Sequence, residues 1–211
     1  MNTCKLCGLN KVTPLIIPHD KRIYNYCPDC YLIFVDSTFH IDLQQEKRLI
    51  LRRNNSIGNA EYVHYISQII QLIRPFIYQG QIGLDYGCGP TPTLNHLLKK
   101  ENITCFNNDY NFGFNHPFKK YDFIMAIECL EKFKDPNNEI DKLLDLLKPG
   151  GIFGMMTEVY PTKDNFKYWN KKLDPSHVSF YHQKTLDYLI ANKKLTLLKS
   201  DSKRIFIFEK Q

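Results

Sequence analysis

The chain has 211 residues, of which 43% are hydrophobic, 13% aromatic and 24% charged, and its formal net charge is +6. This balance supports one ordinary domain with at most a small module, and it excludes a disordered chain and a large multi-domain machine. The excess of Lys and Arg lies in scattered pairs, which are more typical of a solvated surface than of a nucleic-acid-binding face. Since no apolar run approaches the roughly 18 residues of a membrane span and no N-terminal signal is evident, we expect a soluble, cytoplasmic protein without a membrane partner.

Four cysteines near the N-terminus form two C-x2-C pairs. Cys4 and Cys7 make the first pair, and Cys27 and Cys30 make the second. Two such turns complete the tetrahedral thiolate set that zinc prefers, and four protein ligands leave no open position for catalysis. The alternative is a pair of disulfides, which a reducing compartment disfavours. The spacing therefore predicts a structural Zn2+ in a ribbon that spans residues 1–40.

Short strands precede helices in the first third of the chain. The predicted strands of the ribbon are 13–17, 22–26 and 31–35. Residues 41–79 form a predicted helical linker region, in which turn-forming residues separate a helix at 41–53 from a long amphipathic helix at 60–77. Pro75 is expected to kink the last turn of the second helix.

Residues 80–211 form a second predicted domain, in which strands and helices alternate. The predicted strands are 81–86, 103–108, 121–128, 152–157, 195–200 and 205–209, and the predicted helices are 91–100, 138–147 and 183–191. Such alternation is typical of an α/β fold with a mostly parallel sheet, here closed by an antiparallel C-terminal hairpin. Only 11 residues separate Asp109 from Tyr121. A further strand with its crossover needs more, so the third-strand region is predicted to be shortened or missing.

The motif D-Y-G-C-G at 85–89 follows a predicted strand and opens a helix. Its two glycines allow a sharp turn and the close approach of a ligand. Pro92 takes the place of the last glycine in the dinucleotide fingerprint G-x-G-x-x-G, so an adenosyl ligand without phosphates fits better. We expect Asp85 to hold an ammonium group and Asp109, at the end of the next strand, to hold ribose hydroxyls. The alternative for Asp109 is a turn-capping role.

The chain resembles the class I S-adenosylmethionine-dependent methyltransferases. The resemblance rests on L-D-Y-G-C-G-P at 84–90, N-D-Y at 108–110, Y-D-F-I at 121–124 with E-C-L-E at 128–131, and L-K-P-G-G at 147–151. It is greatest to small bacterial methyltransferase-like proteins in which a four-cysteine ribbon comes first. It implies a Rossmann-like methyltransferase sheet in residues 80–211 and S-adenosylmethionine as cofactor. The cofactor contacts that it implies are Asp85, Tyr86, Gly87, Cys88, Gly89, Asp109, Tyr110, Ile127 and Glu128.

A second set of candidate residues follows the fifth strand of the domain. Methyl transfer is an in-line displacement, which requires positioning of the acceptor and exclusion of water. If the acceptor must lose a proton, His177 in D-P-S-H-V-S-F-Y at 174–181 is the candidate general base, and a structural hydrogen bond is its alternative role. Four aromatic residues are expected to form a lid or acceptor pocket, with core packing as the alternative: Tyr160, Trp169, Phe180 and Tyr181.

Three functions are compatible with these patterns. The segment at 174–181 resembles the tail of enzymes that methylate metabolites, so a small-molecule acceptor is favoured. An RNA methyltransferase that uses the ribbon for RNA recognition is the first alternative, and a non-catalytic methyltransferase-like binding protein is the second. The chain also departs from the family at Thr91, where glycine is frequent, and at Lys132, where many relatives have histidine.

Overall fold

The computed structural model describes residues 3–115 and 120–211. The strands are β1 (Thr13–Ile16), β2 (Ile23–Tyr26), β3 (Ile33–Val35), β4 (Ile82–Tyr86), β5 (Thr104–Asn108), β6 (Tyr121–Ile127), β7 (Leu147–Met156), β8 (Ser179–Phe180), β9 (Leu195–Ser200) and β10 (Ile205–Lys210). The helices are α1 (Leu43–Leu51), α2 (Ala60–Ile73), α3 (Thr93–Lys100), α4 (Pro136–Leu146) and α5 (Gln183–Asn192). Within the described ranges, none of the helices combines the length and apolarity needed to cross a lipid bilayer.

The larger sheet has six strands in the order β5-β4-β6-β7-β10-β9. Strands β5, β4, β6 and β7 are parallel, whereas β10 is antiparallel to β7 and to β9. This confirms the predicted Rossmann-like sheet with its C-terminal hairpin. In the described part of the chain the sheet ends at β5, and a short 3-10 helix, Tyr110–Phe112, follows that strand. The predicted third-strand region is therefore shortened, although residues 116–119 lie outside the described residues.

Helix α2 covers one face of the larger sheet. Its buried side chains are Ile66, Ile69, Ile70 and Ile73, which pack with Phe123, Met125 and Ile207 of the sheet. Full burial of each such side chain contributes about 1.5–3 kcal/mol, so this stripe fixes the helix on the sheet. The helix ends at Ile73, four residues before the predicted end, and continues as the 3-10 turn Arg74–Phe76. Pro75 explains the early end because proline disrupts the α-helical hydrogen bonds.

The ribbon packs on the opposite side and shares a core with the larger sheet. Leu32 and Phe34 of the ribbon belong to the same buried cluster as Leu130, Tyr181 and Leu186. The ribbon strands form a second sheet in the order β1-β2-β3-β8. Strand β8, which sequence analysis did not predict, pairs antiparallel with β3. The ribbon is thus completed by the segment that directly follows His177.

The aromatic residues that were expected to form a lid mostly belong to the core. Tyr160, Phe180 and Tyr181 are 1% exposed or less. The rings of Tyr160 and Phe180 pack in a buried cluster with ribbon residues, and that of Tyr181 packs in the core that the ribbon shares with the larger sheet. The Tyr160 hydroxyl donates to the carbonyl oxygen of Tyr31 at 2.5 Å. Only Trp169 of the four is partly exposed, and it lines a small cavity beside His177. Phe180 is buried but lines the same cavity. The expectation of a lid or acceptor pocket was wrong for Tyr160 and Tyr181, because hydrophobic burial determines where they lie.

Candidate functional site

The glycine bend is the backbone turn between β4 and α3. Gly87 and Gly89 both adopt the left-handed conformation, with φ of +79° and +68°. A Cβ on Gly87 would lie 2.7 Å from the Cβ of Cys129, so glycine is required there. The amides of Gly87 and Cys88 donate to the carbonyl oxygen of Asn108 at 2.8 and 3.2 Å. These bonds hold the bend against the end of β5.

Asp109 follows β5 and closes the other side of the bend. Its Oδ2 accepts a hydrogen bond from the Gly89 amide at 3.0 Å, and its Oδ1 accepts one from the Asn111 amide at 3.0 Å. Asp109 therefore caps the turn that follows it and also lies beside the glycine bend. Tyr110 is 72% exposed and lines the adjoining cavity, so its ring is accessible to a ligand.

Asp85 lies at the end of β4, two residues before Gly87. It is 3% exposed, and no described residue donates a hydrogen bond to its carboxylate. Burial raises the pKa of Asp85 to about 7, and the nearby charge of Asp109 adds to the shift. A cation bound at the bend would stabilise the ionised form of this carboxyl.

Two cavities meet at the glycine bend and form one cleft across the carboxyl ends of β4, β5 and β6, where parallel sheets commonly bind ligands. Their volumes are about 370 Å³ and about 380 Å³. Both are lined by Ile50, Gly87, Asp109 and Lys132. The first, which we call the outer cavity, also contacts Tyr86, Tyr110 and Phe133. The second, the inner cavity, also contacts Cys88, Gly89, Ile127, Glu128 and His177.

Glu128 follows β6 and has a positive φ of 51°. Non-glycine residues rarely adopt this conformation, and strained backbone of this kind is frequent at functional sites. Its Oε1 accepts a hydrogen bond from the Tyr65 hydroxyl at 2.5 Å, and its Oε2 lies 3.7 Å from Nζ of Lys171. Burial raises the pKa of Glu128, with a further contribution from Glu131. Glu128 is thus a partly desolvated carboxyl on the wall of the inner cavity.

Two tyrosines of α2 complete this wall, and sequence analysis did not single them out. Tyr62 and Tyr65 line the inner cavity, and their rings stack with centroids 6.4 Å apart. They lie almost one helical turn apart, at the edge of the apolar stripe that includes Ile66 and Ile69. Aromatic residues with a polar tip at such an edge are the signal that could have found them.

His177 lies in a loop, residues 170–177, that we call the His177 loop. The ring is buried, and its Nδ1 lies 3.0 Å from the carbonyl oxygen of Lys171. Nδ1 therefore carries the ring proton and donates, which leaves Nε2 with its lone pair. Nε2 is buried and forms no hydrogen bond with any described residue. Burial lowers the pKa of His177 to about 4, so the ring is neutral near pH 7.

Two carboxylates flank Nε2 of His177. Oε1 of Glu131 lies 3.7 Å away, and Oδ2 of Asp174 lies 3.8 Å away. Glu131 is fixed by the Thr157 hydroxyl, which donates to its other oxygen at 2.9 Å. Asp174 forms an ion pair with Arg53, which follows α1. A proton taken up by Nε2 would therefore lie between two oriented negative charges.

The four ribbon cysteines are brought together as predicted. Their Sγ atoms all lie within 4.8 Å of one another. Cys4 and Cys30, and likewise Cys7 and Cys27, have Sγ atoms 3.5 Å apart. This distance exceeds the about 2.05 Å of a disulfide and is close to the edge of about 3.8 Å that zinc–sulfur bonds of about 2.3 Å imply. The four free thiols fit a closed, structural zinc site.

Comparisons with known proteins agree with this geometry. A family model described as a methyltransferase domain matches residues 59–199. The fold is similar to that of a 1,6-didemethyltoxoflavin-N1-methyltransferase from Burkholderia thailandensis, solved with 1,6-didemethyltoxoflavin and S-adenosylhomocysteine, at a TM-score of 0.53 and 13% identity over 94% of this chain and 99% of that one. A search of the curated proteins finds no match.

Two further solved structures are similar at the level of the fold. A SAM-dependent methyltransferase from Aquifex aeolicus has a TM-score of 0.53 and 13% identity, over 80% of this chain and 98% of that one. Magnesium protoporphyrin IX methyltransferase from Synechocystis PCC 6803, with bound S-adenosylhomocysteine, has a TM-score of 0.52 and 14% identity, over 80% of this chain and 94% of that one. At these identities the likeness establishes the fold alone.

The sheet order, the reversed C-terminal hairpin and the glycine bend at the end of β4 define the Rossmann-like class of methyltransferase folds. The family match spans about two thirds of the chain, and the chain accordingly belongs to the methyltransferase-domain family. The activity that this family membership carries is methyl transfer.

Proposed function

We propose that the acceptor of the methyl group is a small molecule and that His177 is the general base that deprotonates it. The observation that carries this proposal is the position of His177 on the inner cavity, together with the buried Nε2 atom, which has no hydrogen-bond partner among the described residues. The same cavity is lined by Gly87 and Glu128 from the glycine bend and from the end of β6. The proposed base and the glycine bend thus line the same cavity.

In this proposal the residues after β4, β5 and β6 bind successive parts of an adenosyl cofactor. The glycine bend would accommodate the methionine part, with its ammonium group directed at Asp85, which is 3% exposed and lines neither cavity itself. Asp109 would accept hydrogen bonds from ribose hydroxyls, since a carboxylate oxygen accepts more than one. S-adenosylmethionine, when bound, supplies a methyl group on a positively charged sulfur. The other contacts that we propose are Tyr86 and Tyr110 in the outer cavity, and Cys88, Gly89, Ile127 and Glu128 in the inner cavity.

His177 has the protonation state that a general base requires. Its Nδ1–H is committed to the carbonyl oxygen of Lys171, so Nε2 is the nitrogen that accepts the proton. Glu131 and Asp174 then stabilise the imidazolium that forms. A base arranged in this way serves an acceptor whose hydroxyl, amine or acidic carbon loses a proton during transfer.

The ribbon cysteines are proposed to bind Zn2+ through all four thiolates. A closed set of four sulfur ligands leaves no position for a reacting group, so the metal would contribute folding energy and no chemistry. This role agrees with the continuous core between the ribbon and the larger sheet.

The acceptor class is tested by following the methyl group. Cofactor labelled with tritium in the methyl group is incubated with the protein, a metabolite extract and total RNA, and the label is expected in the small-molecule fraction. Label that enters RNA instead, with transfer that weakens steeply between about 50 and 200 mM salt, would identify an RNA acceptor and overturn the proposal.

Asp85 predicts a pH dependence of cofactor binding. Because its pKa is raised to about 7 and a bound ammonium favours the ionised form, affinity for S-adenosylhomocysteine is expected to fall as the pH drops below about 7 and to level off above it. Binding near pH 7 should release protons. Asp85→Asn is expected to weaken binding by about 10- to 100-fold, from about 1.5–3 kcal/mol for a hydrogen bond to a charged group, and to abolish the pH dependence.

Calorimetry in buffers of different ionisation enthalpy measures both quantities. Asp187→Asn, at an exposed position on α5, is the control and should bind as the wild type does. Equal affinity and equal proton release in wild type and Asp85→Asn would show that Asp85 does not hold the ammonium group.

A further inference from the structure

We propose that the ribbon is a working part of the acceptor site and that Arg22, in the turn before β2, is a positioning residue for His177. This inference rests on the role proposed above for His177, but its test measures the titration of the His177 ring and does not depend on turnover. The ribbon would then have two roles, because it would bind a metal ion and also orient the His177 ring that accepts the proton.

Arg22 joins the ribbon to the backbone of the His177 loop. Its Nη1 donates to the carbonyl oxygen of Asp174 at 3.2 Å and to that of His177 at 3.3 Å. The guanidinium side chain is 13% exposed, so these bonds are largely shielded from water. One ribbon side chain therefore spans the four residues that end in His177.

Asp20 holds Arg22 and makes a second connection to the loop. Its Oδ1 accepts from the Arg22 amide at 3.0 Å, and its Oδ2 accepts from the Tyr24 hydroxyl at 2.6 Å. The same Oδ2 lies 3.5 Å from Nζ of Lys172, in the His177 loop. The side chains of Asp20 and Lys172 are 13% and 7% exposed, so this pair is also shielded from water.

The His177 loop is held both by hydrogen bonds of its own and by bonds from the elements around it. Within the loop, the His177 amide donates to the carbonyl oxygen of Asp174 at 3.1 Å, and the Ser176 amide donates to Oδ1 of Asp174 at 2.8 Å. Between β7 and β8 the described helices are the 3-10 turns Asn165–Tyr168 and Asn170–Leu173. The residue that follows the loop is held from outside, because the Val178 amide donates to the carbonyl oxygen of Glu131 at 2.7 Å and the Val35 amide donates to that of Val178 at 2.8 Å. Removing Arg22 would leave the carbonyl oxygens of Asp174 and His177 without the donor that connects them to the ribbon. The side chains of these two residues are the ones that meet at Nε2.

The pKa of the His177 ring is expected to change when the bonds from Arg22 are lost. Charged groups among the described residues face or influence the His177 ring from several elements. They are Arg53 after α1, Glu128, Glu131 and Lys132 after β6, Glu158 after β7, and Lys171 and Asp174 in the loop. Burial nevertheless dominates and lowers the pKa of the ring to about 4. A loop released from Arg22 would admit water and let the pKa rise toward the about 6.5 of a solvated histidine.

The experiment is an NMR titration of the histidine rings, with the His177 signal assigned by its absence in His177→Gln. Arg22→Met keeps the length of the side chain and removes its donors, and it is expected to raise the pKa of His177 by one unit or more. Lys21→Ala, at the exposed neighbouring position, is the matched control and should titrate as the wild type does. Zinc content and the thermal midpoint of each variant establish that the fold is retained.

An unshifted His177 titration in folded Arg22→Met would overturn the inference. If that variant does not fold, Asp20→Asn decides, because it loosens both Arg22 and Lys172: a raised pKa supports the inference and an unchanged pKa overturns it. The proposed catalytic role of His177 is tested separately, by turnover of His177→Gln. Unchanged turnover in that variant would refute the catalytic role, and the pKa of His177 could still be raised in Arg22→Met.

Discussion

Replacing His177 with glutamine is expected to lower turnover by roughly 100-fold or more, the scale of a lost general base. Glutamine is close in size and keeps an amide donor for the carbonyl oxygen of Lys171, but it cannot take up a proton. Affinity for S-adenosylhomocysteine should stay within about twofold, because the residues of the glycine bend are unchanged. Turnover is measured at saturating cofactor and acceptor, so that the loss appears in kcat.

The pH profile sharpens this test. A base must be unprotonated, and the pKa of His177 is lowered to about 4 by burial. Wild-type kcat is therefore expected to persist through mildly acidic pH and to fall as the pH drops through about 4, whereas an exposed histidine would give a fall near 6.5. His64→Gln, on the exposed side of α2, is the control. If kcat is unchanged in His177→Gln, the histidine only holds its loop.

Removing one of the four proposed zinc ligands is expected to have the largest effect on stability. Cys30→Ala should reduce zinc from about one equivalent to less than half an equivalent in protein purified without chelator. A structural zinc site supplies several kcal/mol of folding energy, and each kcal/mol corresponds to roughly 2–4 °C for a chain of this size. We therefore expect Tm to fall by roughly 10 °C or more. Turnover should also fall, because β3 and Arg22 support the His177 loop.

Cys105→Ala is the control for loss of a buried cysteine. Cys105 lies on β5, outside the ribbon, and its replacement should leave the zinc content unchanged. Zinc is measured by elemental analysis and Tm by calorimetry. A Cys30→Ala protein with full zinc, or with none but with the wild-type Tm, would contradict the structural role.

The features that sequence analysis predicted correctly are those that local chemistry specifies. The glycine bend follows from Gly87 and Gly89 because both need left-handed backbone, which other residues rarely adopt. The cysteine cluster follows from two turns that each place two thiols on one side. The shortened third-strand region follows from a count of residues, since a crossover has a minimum length.

The features that it missed depend on partners distant in the sequence. Strand β8 has only two residues and exists because β3 is there to pair with it. Tyr62 and Tyr65 looked like part of an amphipathic helix, and only the end of β6 shows that they face a carboxylate. Arg22 had no local signal at all, because its two acceptors lie more than 150 residues away in the chain.

The pairing of β3 with β8 also constrains how the protein matures on the ribosome. Residues 33–34 find their strand partners only at 179–180, so the nascent ribbon stays incomplete until those residues have been translated. Contacts of such long sequence separation form slowly, and the growing chain carries an open strand edge meanwhile. Early capture of the metal by the four thiols would then protect this module while it waits for its last strand.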